Sequence, residues 1–261
     1  MPPPEAQSLL PELVRALRAG GSVFAEDEAA LLAQAAGGDP ARLAGLLAER
    51  LDGRPLEQVL GWAEFAGIRI GVAPGVFVPR RRTELLAREA IAACAPGAIA
   101  VDLCCGSGAI GAAILAARPG VRLYASDVSA ASVACAAGNL AGRATVLRGD
   151  LFAALPGGLR GRIDVLAVNA PYVPSEAIAF MPPEAREHEP LASLDGGSDG
   201  LDVHRRIAAE AAEWLHPSST LLIETSSAQA GASAALFSAA GFTTRIARDE
   251  TRDATVIVAT A

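Results

Sequence analysis

The chain has 261 residues, of which 51% are hydrophobic, so it can bury a large core as one domain of ordinary size with a smaller appendage. Its net charge of −7 and pI near 5.1 argue against a protein that holds nucleic acid mainly by neutralising phosphates, because that mode of binding requires a basic surface. All 22 basic residues are arginine, which excludes a lysine nucleophile or Schiff base.

The N-terminal segment carries prolines and acidic residues where a signal peptide needs positive charge and a long apolar run. No stretch reaches the roughly 18 apolar residues of a membrane span. The cysteines show no paired CxxC spacing, so we expect them to be reduced. We therefore expect a cytoplasmic protein without membrane or stable nucleic-acid binding, and nothing in the sequence demands more than a monomer.

Apolar residues recur at helical spacing between residues 8 and 60, and this predicts three or four short helices. Asp39-Pro40 is a typical helix cap and first turn. We predict a small helical domain over residues 1–60, and a hairpin linker over residues 61–78 because alternating segments at 62–65 and 68–70 flank Ala66-Gly67. The apolar positions are Leu9, Leu13, Leu17, Ala29, Leu32, Ala36, Leu43, Leu46, Leu47 and Leu51.

Residues 79–261 alternate between short apolar runs and helical stretches, which is typical of an α/β fold with a parallel sheet between two helical layers. The last two runs are separated by only six polar residues, too few for a crossover helix, so we predict an antiparallel final pair. The result is a seven-stranded, doubly wound, Rossmann-like sheet with an antiparallel last strand. The predicted strands are 99–103, 121–125, 145–147, 163–168, 220–223, 243–247 and 255–259.

A glycine-rich turn follows the first predicted strand. Asp102 ends the strand, Cys104 and Cys105 follow, and Gly106 and Gly108 open the next helix. Glycines here let the backbone approach a ligand and direct helix-start amides at it. A tight turn of any α/β protein would have the same pattern, so the turn alone decides little.

Acidic residues also end the second and third predicted strands. Asp127 can accept hydrogen bonds from both ribose hydroxyls of a nucleoside, or can cap the helix that begins near Ser129. Asp150 offers a carboxylate to an adenine amino group, and Leu151 offers an apolar surface to its ring. Because these strand ends share one edge of the sheet, we predict a site for a nucleoside-bearing cofactor.

The fourth predicted strand ends in the turn Asn169-Ala170-Pro171-Tyr172. An amide oxygen and a main-chain carbonyl can accept the N–H groups of a planar nitrogen, a proline stiffens the turn, and an aromatic ring covers the plane. An ordinary Asx turn ended by proline is the alternative. Beside a cofactor site, we interpret the turn as a clamp for the acceptor of a transferred group.

This set of motifs resembles the class I S-adenosylmethionine-dependent methyltransferases, whereas the spacing fits a dinucleotide site poorly. Within that class the chain is similar to the HemK/PrmC type of protein-(glutamine-N5) methyltransferase, over nearly its whole length. The matching segments are residues 54–61, 64–67, 76–80, 83–84, the glycine-rich turn, 169–172, and 189–202, which reads Glu-Pro-Leu-Ala-Ser-Leu-Asp-Gly-Gly-Ser-Asp-Gly-Leu-Asp.

The resemblance implies methyl transfer from S-adenosylmethionine, with S-adenosylhomocysteine as product, to a glutamine amide in the Gly-Gly-Gln motif of a peptide-chain release factor. It also implies that the N-terminal helices engage this protein substrate. Asn169, Ala170, Pro171 and Tyr172 would form the catalytic clamp. The cofactor would contact Asp102, Cys104, Cys105, Gly106, Gly108, Asp127, Asp150, Leu151 and Asn169.

Three departures from the family pattern suggest a divergent paralogue. Ala170 replaces a proline, arginines at 81 and 82 stand where a proline and an acidic residue are common, and Cys104-Cys105 replace a glycine and a small residue. Residues 80–82 could be a solvated patch or an anchor for an acidic partner or phosphate. Rival functions are N6-adenine methylation, methylation of a small amine or amide, and a non-catalytic cofactor-binding adaptor.

Overall fold

The N-terminal part of the chain is helical, as predicted. The computed structural model describes residues 4–261, with side chains from residue 10 onward, so the predicted apolar side chain of Leu9 lies outside the described set. Leu13, Leu17, Leu32 and Leu43 form a separate small core. The helices are α1 (Pro4–Ala19), α2 (Ala25–Ala36), α3 (Pro40–Leu51) and α4 (Leu56–Leu60).

Local capping and turn chemistry explain where these elements begin. The Asp39 carboxylate accepts hydrogen bonds from the backbone N–H groups of Ala41 (2.9 Å) and Arg42 (3.2 Å), and Pro40 occupies the first turn, which confirms the predicted cap. The predicted hairpin is also confirmed, with strands β1 (Trp62–Phe65) and β2 (Ile68–Gly71) pairing antiparallel.

The rest of the chain alternates between helices and strands. Its elements are α5 (Glu84–Ala93), β3 (Ile99–Leu103), α6 (Ala109–Ala117), β4 (Arg122–Asp127), α7 (Ala130–Leu140), β5 (Ala144–Arg148), β6 (Ile163–Val168), α8 (Pro183–His188), α9 (Asp202–Trp214), β7 (Leu215–Thr225), α10 (Ala230–Ala239), β8 (Thr243–Asp249) and β9 (Ala254–Thr260).

The seven strands form one sheet in the order β5-β4-β3-β6-β7-β9-β8. The first five are parallel, while β9 runs antiparallel to both β7 and β8, so the predicted fold is confirmed. Side chains of the central strands are buried in two apolar cores, one on each face of the sheet. Burial on both faces explains why these strands read as continuous apolar runs.

One strand differs from its prediction. The periodicity places the fifth strand at 220–223, whereas β7 begins at Leu215, directly after α9. Residues 216–218 are exposed, so a hydropathy pattern does not indicate where this strand begins. Within residues 4–261, we find no helix with the length and apolar character of a membrane span.

Candidate active site

A cavity of about 260 Å³ opens at the carboxyl ends of the central strands. It lies where the chain order reverses, because β4 and β6 flank β3 on opposite sides, and such switch points are the usual ligand sites of doubly wound sheets. One end is lined by the turn after β3 and by the ends of β4 and β5, and the other by the turn after β6. The cofactor region and the acceptor region predicted from the sequence therefore share one cavity. We call the end at the turn after β6, residues 169–172, the acceptor end, and the opposite end the donor end.

The turn after β3 depends on left-handed backbone conformations. Cys104, Gly106 and Gly108 have φ angles of 59°, 54° and 76°. A Cβ on Gly108 would also lie 3.0 Å from the Cβ of Ala136 in α7, so glycine permits both the turn and the close helix packing. Burial raises the pKa values of Cys104 and Cys105 well above their usual range, so both thiols that line the cavity stay protonated.

Asp127 lines the cavity at the end of β4. Its two carboxylate oxygens accept hydrogen bonds from the backbone N–H of Gly106 (2.9 Å) and of Ser129 (2.8 Å). The cap of α7 is instead the Ser129 side chain, which accepts from the N–H of Ser132. Each oxygen of Asp127 therefore keeps acceptor capacity on a side chain whose direction is fixed.

Asp102 does not line the cavity, contrary to the sequence-based assignment of this residue as a cofactor contact. Its side chain is fully buried beneath the glycine-rich turn, where one oxygen accepts from the N–H of Gly111 at 2.8 Å. Burial raises the pKa of Asp102 to about 8, with the nearby charge of Asp127 adding to the effect. Its structural position supports the start of α6.

Asp150 and Leu151 line the cavity at the end of β5. Leu151 is buried, and its φ of 47° turns the chain toward the cavity. Asp150 is exposed and accepts a hydrogen bond from Arg206 of α9 at 2.6 Å. The sequence pattern missed Arg206, because a residue 56 positions away shows no local signal of this pairing.

The turn after β6 places its polar atoms in the same cavity. Asn169 and Ala170 line it, and the Asn169 Nδ2 donates to the Thr83 hydroxyl at 3.4 Å. This orientation leaves the amide oxygen of Asn169 without a hydrogen-bond donor among the described residues. Ala170, which stands where the family pattern has a proline, is 2% exposed.

Tyr172 is tied to a buried carboxylate. Its hydroxyl donates to Glu224 at 3.0 Å, and Glu224, at the end of β7, is 2% exposed. Arg82 completes the group, with its Nε 3.5 Å from Glu224 and its guanidinium 5.8 Å from the centre of the Tyr172 ring. Burial raises the pKa values of both Glu224 and Tyr172. No sequence motif identified Glu224. Its only signal in the sequence is that it is an acidic residue near the end of an apolar strand.

The interpretation of residues 80–82 as a solvated patch is wrong for two of the three arginines. Arg80 donates to the fully buried carboxylate of Glu189 at 2.6 Å, and Arg82 faces Glu224 with part of its side chain exposed, while Arg81 is the most exposed of the three. Glu189 also accepts from the N–H of Val78 at 3.1 Å. These contacts join two of the sequence segments that carry the family resemblance, and they shape the acceptor end of the cavity.

Gly200 packs directly against the turn after β6, at residues 169–172. The side-chain Nε2 of Gln229 donates to the carbonyl of Tyr172 at 2.9 Å and to that of Asp199 at 2.8 Å. Gly200, with φ of 76°, lies against the Nε2 of Gln229 and the carbonyl of Tyr172, so a side chain at position 200 would displace the turn. Among the side chains described, from residue 10 onward, no group of three or more His, Cys, Asp or Glu residues is placed to hold a metal ion.

Comparisons with known proteins agree with this geometry. Residues 68–181 match the model of the family described as "Methyltransferase small domain". The chain is similar to "Release factor glutamine methyltransferase" of Geobacter sulfurreducens, with 37% identity over 76% of this chain and 70% of that protein.

Two further similarities bear on acceptor and fold. The chain is similar to "4-amino-L-phenylalanine/4-methylamino-L-phenylalanine methyltransferase" of Streptomyces pristinaespiralis, with 36% identity over 79% of this chain and 73% of that protein. A solved structure, "Crystal structure of Methyltransferase from Pyrococcus furiosus", superposes with a TM-score of 0.55 at 14% identity, covering 83% of this chain and 98% of that chain. The last of these supports the fold alone.

Proposed function

The chain belongs to the family of release factor glutamine methyltransferases, and we propose that it methylates the side-chain amide nitrogen of the Gly-Gly-Gln glutamine in a peptide-chain release factor. The methyl donor in this proposal is S-adenosylmethionine. The observation that carries the proposal is the single cavity into which both the Asp127 carboxylate and the Asn169-Ala170 acceptors open. Donor and acceptor can therefore meet without a rearrangement of the sheet.

The residues at the donor end fit the nucleoside part of S-adenosylmethionine. Asp127 presents a fixed carboxylate with acceptor capacity for the two ribose hydroxyls, and Leu151 offers an apolar wall beside Asp150 for the base. When bound, S-adenosylmethionine supplies an electrophilic methyl group on a sulfonium. Residues 104–107 of the glycine-rich turn line the same wall.

An amide nitrogen is a weak nucleophile because its lone pair is delocalised into the carbonyl. Asn169 and the Ala170 carbonyl would accept the two N–H groups of the substrate amide, which fixes its plane and favours the positive charge that develops on nitrogen. This role needs acceptors only, and the Asn169 side chain meets it because its nitrogen faces Thr83, which leaves its oxygen for the substrate amide. Orientation within a closed cavity then supplies much of the rate enhancement.

Tyr172 would cover the acceptor plane and shield the sulfonium, an attraction that aromatic faces offer to cations. Its hydrogen bond to Glu224 fixes the ring's position. The proton of the methylated amide can leave to water, so the mechanism needs no dedicated base among these residues. Pro171 holds the turn open.

The N-terminal helices are the proposed contact for the protein substrate. They connect to the acceptor side of the cavity through Arg50, which pairs with Glu28 at 2.8 Å in α2 and with Glu184 at 3.6 Å in α8. The segment after α8 lines the cavity through Pro190 and Ala192. A protein docked on the helices would therefore present a loop to the acceptor end.

A second candidate acceptor is a small aromatic amine, favoured by the similarity to the 4-amino-L-phenylalanine methyltransferase. An aromatic amine presents a planar nitrogen with two N–H groups, as a glutamine amide does. The apolar wall formed by Phe77, Pro79 and Met181 would suit a ring. The same clamp geometry serves both acceptors.

The test is transfer of labelled methyl from S-adenosylmethionine to four acceptors: a release factor, the same factor with Gly-Gly-Ala in place of Gly-Gly-Gln, 4-amino-L-phenylalanine, and adenine-containing DNA. We expect label on the first factor and none on its glutamine-free variant. Equal label on both factors would show that the glutamine is not the acceptor. Label on the amino acid alone would establish the second candidate.

Two variants separate the halves of the site. Asn169→Ala should abolish transfer and leave cofactor affinity nearly unchanged, because its amide faces the acceptor. Asp127→Ala should weaken cofactor binding about 10-fold or more, as expected for lost hydrogen bonds to a charged group. Calorimetric titration with S-adenosylhomocysteine measures affinity, and a parallel loss of both properties in Asn169→Ala would contradict its assignment.

A further inference from the structure

The acceptor end of the cavity has a distinctive charge arrangement. Its walls are mostly apolar, and the charged side chains that line this end are Arg80 and Arg82. Their acidic partners Glu189 and Glu224 lie behind the wall, 4% and 2% exposed. An incoming acceptor therefore meets guanidinium groups first and reaches no carboxylate at this end.

The two arginines differ in how their nitrogens are used. Arg80 donates to Glu189 at 2.6 Å and lies 5.0 Å from the Phe77 ring, so its charge is paired with a buried carboxylate. Arg82 makes no hydrogen bond within residues 4–261, and its Nε is buried 3.5 Å from Glu224 without bonding geometry. Its side chain is 42% exposed, so its terminal nitrogens remain open to the cavity.

Glu224 neutralises Arg82 incompletely. One of its oxygens accepts the Tyr172 hydroxyl, and the other is buried without a partner. The pKa of Glu224 is raised by burial, while its contacts with Thr83, Arg82 and Tyr172 lower it. Because the terminal nitrogens of Arg82 make no hydrogen bond to a described residue, the guanidinium can still bind an additional anion.

We propose that Arg82 binds a carboxylate of the acceptor molecule, next to the nitrogen that is methylated. A guanidinium presents parallel N–H donors that match the two oxygens of a carboxylate. The inference rests on the proposed function and narrows its acceptors to those with an anionic group near the nitrogen. The carboxylate can come from an acidic side chain beside the target glutamine or from the α-carboxylate of a free amino acid.

The experiment compares acceptor pairs that differ only in this charge. The first pair is a Gly-Gly-Gln peptide followed by glutamate or by leucine, with a blocked C-terminus. The second pair is 4-amino-L-phenylalanine and its carboxamide. Dissociation constants are measured by calorimetry with S-adenosylhomocysteine present, so the readout does not depend on turnover.

We expect the charged member of at least one pair to bind about 10-fold or more tightly than its neutral counterpart. Arg82→Gln should remove that preference and raise KM for the charged acceptor, with kcat changed less. Arg82→Lys keeps the positive charge but loses the parallel N–H donors of the guanidinium, and it should retain part of the preference for the charged acceptor. Arg81→Gln, at the exposed neighbour, should behave as the native chain does.

The pair that shows the preference identifies the source of the carboxylate. Equal affinities within both pairs, no binding of either charged acceptor, or a preference that survives Arg82→Gln would each overturn the inference. Failure of the proposed function looks different. It would appear as absent transfer to the release-factor glutamine, whatever the charge preference in the binding measurements.

Discussion

Substitution of Gly200 by alanine provides a sharp test of how the acceptor turn is held. An added Cβ would lie 3.0 Å from the carbonyl carbon of Tyr172 and nearer still to its oxygen and to the Nε2 of Gln229. The Cβ would lie 2.2 Å from the Tyr172 oxygen, whereas ordinary contacts begin at 3.4 Å, so the turn must move by about 1 Å. A misplacement of that size can cost about 100-fold in rate, and we expect Gly200→Ala to lower kcat by up to that factor.

A matched variant separates this displacement from backbone strain. Gly142 has φ of 73°, close to the 76° of Gly200, but a Cβ there would meet nothing within 4 Å. Both alanine variants should lose about 1–2 kcal/mol from the left-handed conformation, and Gly200→Ala should lose more. Urea denaturation and steady-state kinetics measure the two effects. Unchanged kcat in Gly200→Ala, or an equal loss in Gly142→Ala, would refute the role given to this packing.

Three further predictions concern single side chains. Tyr172→Phe removes the hydroxyl that donates to Glu224, and we expect kcat to fall about 10-fold with unchanged cofactor affinity, since such a bond contributes about 1.5–3 kcal/mol. Asn139→Ala removes an amide that bonds both backbone groups of Gly71 and a carbonyl of the glycine-rich turn, so the free energy of unfolding should fall by about 2–4 kcal/mol in urea denaturation. Burial lowers the pKa of His204 to about 4. The unfolded chain therefore binds a proton below about pH 6.5 that the folded chain does not, and stability should fall by about 2 kcal/mol between pH 7 and pH 5 through this group.

Each of these predictions has a control. Glu224→Gln keeps a hydrogen-bond acceptor for Tyr172 and should lose less activity than Tyr172→Phe if the carboxylate acts by positioning the ring. For the pH effect, the quantity is the difference in pH dependence between the native chain and His204→Leu, with His216→Leu, at an exposed position, as the comparison. A loss below about 0.5 kcal/mol in Asn139→Ala would contradict the proposed tie between hairpin and turn.

The fold was predictable because its signals are local. The parallel strands are buried on both faces and read as apolar runs, and six polar residues between the last two strands allow only an antiparallel pair. The start of β7 was not predictable, because residues 216–218 are exposed and lie at an irregularity in the β6–β7 pairing, between Leu215 and Thr220. A hydropathy pattern reports burial, and exposed strand residues carry no such signal.

The only site residues that could be predicted from the sequence are those at the ends of predicted strands. Asp127 and Asn169 directly follow apolar runs, and the topology brings such ends to one edge. Asp102 has a similar sequence context, yet its side chain is fully buried beneath the turn, where it accepts a hydrogen bond from the N–H of Gly111 in α6. Glu224 and Arg206 come from other elements, and their distances to Tyr172 and Asp150 follow from packing that no short motif encodes.

This packing also explains how the turn tolerates Ala170. A proline would limit the unfolded chain and fix φ, a gain of about 0.4–1 kcal/mol where the native conformation suits it. Here the turn is held by other contacts, since Gln229 bonds the carbonyl of Tyr172 and the N–H of Val173 bonds the carbonyl of Leu194 at 3.0 Å. In the proposed mechanism position 170 contributes a main-chain carbonyl, and alanine keeps that acceptor. Neighbouring segments therefore replace the rigidity that the substitution removes. Of the departures from the family pattern at positions 170 and 82, we propose that Arg82 is the one that affects the choice of acceptor.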